Sequence, residues 1–214
     1  MEHTHMPLKN KVALVTGSAG AIGYGVCKGL LEAGASLAAS DLPGRRLDEL
    51  TRDLEQIAPG RVLGVPLDVT DAASIDKAFE TIIETFGGID ILVHNAGIAM
   101  VARLRDIDMD EFRRLEKVNV EGTLRILQAI ANHMIARATG GDIIIMSSKT
   151  VPAPGAGFGG YSATKAACYQ LGRIASIELA PHDIRVNMVA PDAVLSEGKF
   201  TSGLWEKVGP DRMK

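Results

Sequence analysis

The sequence predicts an α/β domain built on a doubly wound parallel sheet of about six strands, the Rossmann architecture. Three observations predict it. Short, nearly continuous apolar runs alternate with longer stretches of helical periodicity along the 214 residues. The first run leads straight into a glycine-rich turn and an apolar helix. The composition, 46% apolar and 23% charged, suits one globular domain with a substantial core.

In chain order, the expected strands are KVALVT (11–16), SLAAS (36–40), RVLGVPL (61–67), IDILVH (89–94), DIIIMS (142–147) and IRVNMVA (184–190). Each is apolar almost throughout, as a strand covered on both faces should be. Between the third and fourth, Ile75, Phe79, Ile82, Ile83 and Phe86 recur at helical spacing over 71–86, with Asp71 placed to cap the helix. The glycine-rich stretch 152–160 is a loop. No repeat or linker divides the chain, so residues 1–10 are a lead-in and 11–214 a single domain.

Charge and residue usage exclude several classes. A formal net charge of -3, with Arg45-Arg46 and Arg113-Arg114 as isolated pairs, argues against nucleic-acid and anionic-membrane partners. Cys27 and Cys168 lie far apart, and His3, His5, His94, His133 and His182 have no metal-ligand spacing, so no metal site is expected. No apolar run has the length of a membrane span and the start lacks a signal-peptide core, which makes the cytoplasm the expected location.

The first strand runs into TGSAGAIGYG, where bare backbone N–H groups and a helix N-terminus suit a pyrophosphate. Gly17 makes the tight turn and Gly23 the close helix–strand packing. Asp41, 24 residues after Gly17, ends the second strand, where a carboxylate accepts hydrogen bonds from a ribose diol and repels a 2′-phosphate. This favours NAD. Arg45 and Arg46 keep NADP as the alternative, although they read more simply as exposed helix-start residues. Asp68, ending the third strand, either receives an adenine amino group or caps a turn. Farther along, Tyr161 and Lys165 stand four residues apart and so share one helical face.

TGSAGAIG, LDVTD, HNAG, KVNVEG, MSSK and YSATK follow one another in the order and spacing of the short-chain dehydrogenase/reductase family, which the chain resembles from Lys11 onward. The resemblance implies an NAD(P)-dependent oxidoreductase. Asn119, Ser148, Tyr161 and Lys165 match its catalytic set. Gly17, Ser18, Gly20, Ala21, Ile22, Gly23, Asp41, Asp68, Val69, Asn95, Ala96, Gly97, Tyr161, Lys165, Pro191, Val194 and Ser196 fall along its cofactor cleft. A free tyrosine has a pKa of about 10, too high for a base near neutrality. A drop of about three units needs roughly 4 kcal/mol of differential stabilisation, part of it expected from the Lys165 ammonium. Ser148 would hold the substrate oxygen, and Asn119 a water joining Lys165 to solvent. Strand alternation puts Ser147 and Ser148 on opposite faces, and spacing to Tyr161 selects Ser148.

Several positions depart from the family pattern. Ala21 stands where glycine is usual, and Gly17, Gly20 and Gly23 also read as the GxxGxxG of the family's extended branch of sugar-nucleotide epimerases and dehydratases. After the sixth strand Asp192 replaces glycine, and Ser196 stands where a threonine contacts the nicotinamide. Lys149 reads as a solvated loop lysine, with a contact to a substrate phosphate or carboxylate as the sharper alternative. The C-terminal stretch looks like the dehydrogenase half of bifunctional rhamnulose-phosphate aldolase/dehydrogenase proteins. Nothing after GPDRMK forms a seventh strand, so a C-terminally truncated domain with an exposed sixth strand and an incomplete substrate lid is expected.

The leading expectation is hydride transfer between NAD(H) and a small polar alcohol or carbonyl compound (a polyol, hydroxyaldehyde or sugar derivative). The alternatives are a catalytically silent dinucleotide-binding module and, less favoured, a sugar-nucleotide epimerase or dehydratase. The family's dimers and tetramers suggest a homodimer or homotetramer through helices at 110–136 and 161–179. The stripe Cys168, Leu171, Ile174, Ala175 and Leu179 reads as core against the sheet.

Overall fold

The computed structural model describes residues 6–194 and Phe200. Six strands, β1 (Val12–Thr16), β2 (Ser36–Asp41), β3 (Val62–Pro66), β4 (Ile91–His94), β5 (Gly141–Met146) and β6 (Ile184–Val189), form one sheet in the order β3-β2-β1-β4-β5-β6. Every pairing is parallel. The doubly wound expectation holds, with strand ends displaced by at most two residues. The chain returns from the β3 edge to the centre, so the order reverses between β1 and β4. In open α/β sheets a crevice opens beyond the strand C-termini at such a point.

Alternation along the buried strands divides the core. Ala13, Val15, Leu37, Ala39, Ile91 and Val93 pack on one face against Cys27 and Leu31 of α1 (Ala21–Glu32) and Leu47, Leu50 and Leu54 of α2 (Arg45–Ile57). Leu14, Ala38, Leu92, Ile143 and Ile145 pack on the other. There they meet α3 (Ala72–Phe86), α5 (Gly122–Arg137) and α6 (Gly159–Glu178). Burial of strands on both faces is why period-two alternation is missing from their sequences. Asp71 caps α3 as expected, accepting from Ala73 N–H at 3.1 Å. Ile83 is exposed, because the buried arc of α3 is narrower than its apolar stripe.

Two features are less regular. A short helix, α4 (Met109–Glu116), continues through one wide turn, Lys117–Glu121, into α5, with the Gly122 N–H bonded five residues back to the Lys117 carbonyl. Such π turns are uncommon and occur often at functional sites. The second feature is the outer face of α6, where Ile174 is exposed rather than buried and joins Tyr169 and Ile177, the last at 70% exposure. Only Cys168 and Leu179 of the expected stripe are fully buried. Among the described residues β6 is an edge strand, with its Arg185 paired to Asp142 of β5 at 2.7 Å.

Candidate active site

The glycine turn fits between β1 and β4. Gly17 has a φ of 65°, and a Cβ there would lie 2.8 Å from Ala96 Cα. Any side chain would therefore be strained and would strike the neighbouring backbone. Gly23 is equally confined, since a methyl would overlap the Gly17 carbonyl. Asn95 Nδ2 donates to that carbonyl at 2.8 Å, and Ser18 Oγ donates to Val15 O at 2.7 Å. Gly20 begins α1 with no side chain capping the first turn, so the backbone N–H groups there face outward uncapped. Ala21 and Ile22 occupy that turn, half-buried.

Asp41 ends β2 beside this turn. Its Oδ2 accepts from Ala19 N–H and its Oδ1 from Leu42 N–H, both at 2.8 Å. Arg46 reaches the same turn, donating to Ala19 O at 2.9 Å. It therefore does more than the expected exposed helix-start residue, whereas Arg45 pairs outward with Glu49. Asp68 fills the turn role expected of it through one oxygen, its Oδ1 accepting from the Thr70 N–H and hydroxyl. Val69 is buried against Gly122 at the start of α5.

β4 delivers Asn95, Ala96 and Gly97 to the crevice. A methyl on Gly97 would stand 3.2 Å from Asn119 Oδ1 and 3.3 Å from Lys165 Nζ, so this glycine lies against two of the expected catalytic residues. Asn119 sits in the π turn and is buried. Its Oδ1 accepts from Ile98 N–H, and its Nδ2 donates to Ile98 O and Thr164 Oγ1. The asparagine amide therefore braces the loop after β4 and the helix α6 together.

β5 ends immediately before Ser147 and Ser148, both buried. Ser148 Oγ accepts from the Thr150 N–H and hydroxyl. Ser147 Oγ is buried without a hydrogen-bond partner. Tyr161 and Lys165 lie on the first turns of α6, as expected. Lys165 Nζ donates to Met146 O at 2.8 Å and lies 6.0 Å from the centre of the Tyr161 ring.

The electrostatics differ from the sequence expectation. Burial raises the Tyr161 phenol above its ordinary pKa, hydrogen bonding from Ser148 pulls it down, and the neighbouring Cys168 raises it further. The Lys165 charge is not among the dominant influences on the phenol, and burial lowers the lysine's own pKa. One donor of the ammonium goes to the Met146 carbonyl and burial costs the charged lysine, so in the protein alone burial outweighs Lys165 in setting the direction of the phenol's shift.

The residues that follow β6 bond to the loop that follows β5. Lys149 N–H donates to Pro191 O at 3.0 Å, and Lys149 Nζ meets Asp192 Oδ2 at 2.7 Å. Lys149 is therefore tied to the residue that departs from the family pattern. The pair is exposed and adds little stability by itself, although it does link two loops of the crevice. Val194 is exposed, and Ser196 lies outside the described residues.

Sequence reasoning passed over His94, Thr16 and Thr123. Thr16 and His94 end β1 and β4 in register. The ring is buried, with Nδ1 2.9 Å from Thr16 Oγ1 and Nε2 3.0 Å from Thr123 Oγ1. Burial first and the Lys165 charge second push its pKa down to about 3, so it is neutral. The available signal was a histidine ending a central strand. Among the described residues no group of three or more His, Cys, Asp or Glu side chains could hold a metal ion, and no helix is long and apolar enough to cross a membrane.

Residues 11–206 match the family described as short chain dehydrogenase. The chain belongs to that family. The short-chain dehydrogenases similar to it include the sorbitol dehydrogenase of Cereibacter sphaeroides, 39% identical over 192 residues, which are 90% of this chain and 73% of the relative. Galactitol 2-dehydrogenase of Agrobacterium fabrum (strain C58 / ATCC 33970) is similar to the same extent, with the same coverage of both chains. Among solved structures, NAD+-bound xylitol dehydrogenase superposes with a TM-score of 0.85 at 28% identity, covering 94% of this chain and 75% of that one. Membership makes the protein an oxidoreductase of the short-chain type. The narrower likeness to rhamnulose-phosphate aldolase/dehydrogenase proteins gains no support from these relatives, and most of the C-terminal residues that suggested it lie outside the described part.

Proposed function

We propose that the protein interconverts a small polyol, or a related hydroxyl compound, and its carbonyl form using NAD(H), with Tyr161 as the acid–base group. One observation carries this reading: Gly97, Asn119, Lys165, Ser148 and Tyr161 converge beyond β4 and β5, beside a turn in which Gly17 and Gly23 have no room for a side chain. That cradle fits a dinucleotide. Gly17, Ser18, Gly20, Ala21, Ile22 and Gly23 would hold its pyrophosphate, and Asp41 its ribose diol. Asp68 and Val69 would lie at the adenine, and Asn95, Ala96, Gly97, Pro191 and Val194 toward the nicotinamide. Bound there, the nicotinamide supplies the hydride chemistry.

The chain's own residues supply the rest. The Ser148 hydroxyl holds the reacting oxygen of the substrate against the Tyr161 phenol. In the reducing direction the phenol gives its proton to that oxygen, and in the oxidising direction the phenolate takes it back. Lys165 and the Asn119 turn border the phenol on its inner side and would return the proton to solvent. Asp41 favours NAD, while Arg46 beside Ala19 provides a cation that NADP could use. The likeness to the sorbitol, galactitol 2- and xylitol dehydrogenases supports a polyol as substrate.

The second reading, a silent dinucleotide-binding module, makes a different forecast. A panel of polyols tested with NAD+ and NADP+, beside a fluorescence titration with NADH, separates the two. Turnover of a polyol with NAD+ preferred is the expected result. Tight NADH binding without turnover of any alcohol would favour the module.

A further inference from the structure

The hydrogen bonds around His94 run in one direction, set by what Thr16 accepts. Thr16 Oγ1 accepts from Asn95 N–H and from Ala96 N–H, both at 3.1 Å, which fills its two acceptor positions. Its single proton must therefore go to His94 Nδ1, 2.9 Å away. A neutral imidazole that accepts at Nδ1 carries its proton at Nε2, which then donates to Thr123 Oγ1 at 3.0 Å. The Thr123 hydroxyl in turn donates to the Asn119 carbonyl, which also accepts from Cys168 Sγ at 3.0 Å.

We infer that His94 is a positioning residue, a bridge of one fixed tautomer that holds the Asn95–Gly97 turn in register with the π turn bearing Asn119. Each end of the bridge meets a different part of the crevice. The Thr16 end sets the two N–H groups of the turn that faces the glycine loop. The Thr123 end holds the carbonyl of Asn119, whose amide braces Ile98 and α6. Gly97 lies between them, within reach of both Asn119 and Lys165. A slip of either end would therefore move Gly97 and the Asn119 amide relative to Lys165 and α6. The catalytic importance of the bridge rests on the oxidoreductase reading above, whereas its tautomer does not.

The test has two arms. Nitrogen-15 spectra of the labelled full chain report which ring nitrogen of His94 carries the proton. A bare Nδ1 and a protonated Nε2 are expected, and a protonated Nδ1 would overturn the bridge. Kinetics form the second arm. Thr123→Val and His94→Leu should each lower kcat by about tenfold or more, with the NADH Kd changed by less than about threefold. The double variant should be little worse than either single one, because both cut the same chain. His94→Gln, which retains one acceptor and one donor, should recover part of the rate. Unchanged kcat in Thr123→Val would contradict the proposal even if His94→Leu fails to fold, and strictly additive losses would contradict it where all the variants fold. Should the parent protein turn over no alcohol, the oxidoreductase reading fails, and the tautomer still decides whether the bridge exists.

Discussion

Burial raises the Tyr161 phenol, and this fixes the sign of its pH dependence. A phenol with a raised pKa keeps its proton through the neutral range, so the acid form needed for carbonyl reduction predominates there. The base form needed for alcohol oxidation appears only as pH rises. We therefore expect kcat/KM for oxidation to climb with pH on the alkaline side, and kcat/KM for reduction to fall over the same interval. Profiles measured in both directions check this, and an oxidation rate that falls with rising pH would contradict it. Ser148, Tyr161 and Lys165 were legible as candidates through the family resemblance, with one helical turn and one strand end giving their order. What Lys165 bonds to was not legible. The Met146 carbonyl lies 19 residues away across a strand–helix packing that no local pattern encodes. The role of His94 and the bond from Arg46 to Ala19 O were missed for the same reason, since their partners come from elements distant in the chain.

The strands and the helix α3 were readable because each is a buried, uniform element bounded by a polar turn. Asp71 is the clearest case, a carboxylate one residue before the helix that bonds the Ala73 N–H. Replacing it with alanine should cost about 1 kcal/mol, read as a lower denaturant midpoint at unchanged slope. A midpoint equal to the parent's would mean that the cap contributes nothing. The π turn at Lys117–Glu121 was not readable, because its residues have ordinary helical character. It exists because Asn119 is held from outside by Ile98 and Thr164 and its carbonyl by Thr123 and Cys168, a tertiary constraint that overrides local propensity. The apolar stripe of α6 read correctly as core for Cys168, Leu171, Ala175 and Leu179 and failed at Ile174. Helical spacing identifies an apolar face without stating what covers it.

Across the whole molecule, the reversal of strand order between β1 and β4 gathers residues from four separate stretches of sequence into one crevice. The outer face of α6, with Tyr169, Ile174 and Ile177 exposed, suits the homodimer or homotetramer that the family resemblance suggests. Ile177→Glu should then lower the mass seen by light scattering, whereas an unchanged mass would place any interface elsewhere. Family membership and sheet topology make the protein a short-chain oxidoreductase, and the account stands or falls on whether its chemistry passes through one phenol. The most direct measurement is turnover of a polyol by Tyr161→Phe beside NADH titration of the same variant. The kcat should fall by about a hundredfold to ten-thousandfold while NADH affinity stays within about threefold of the parent. Turnover retained at the parent rate would contradict it.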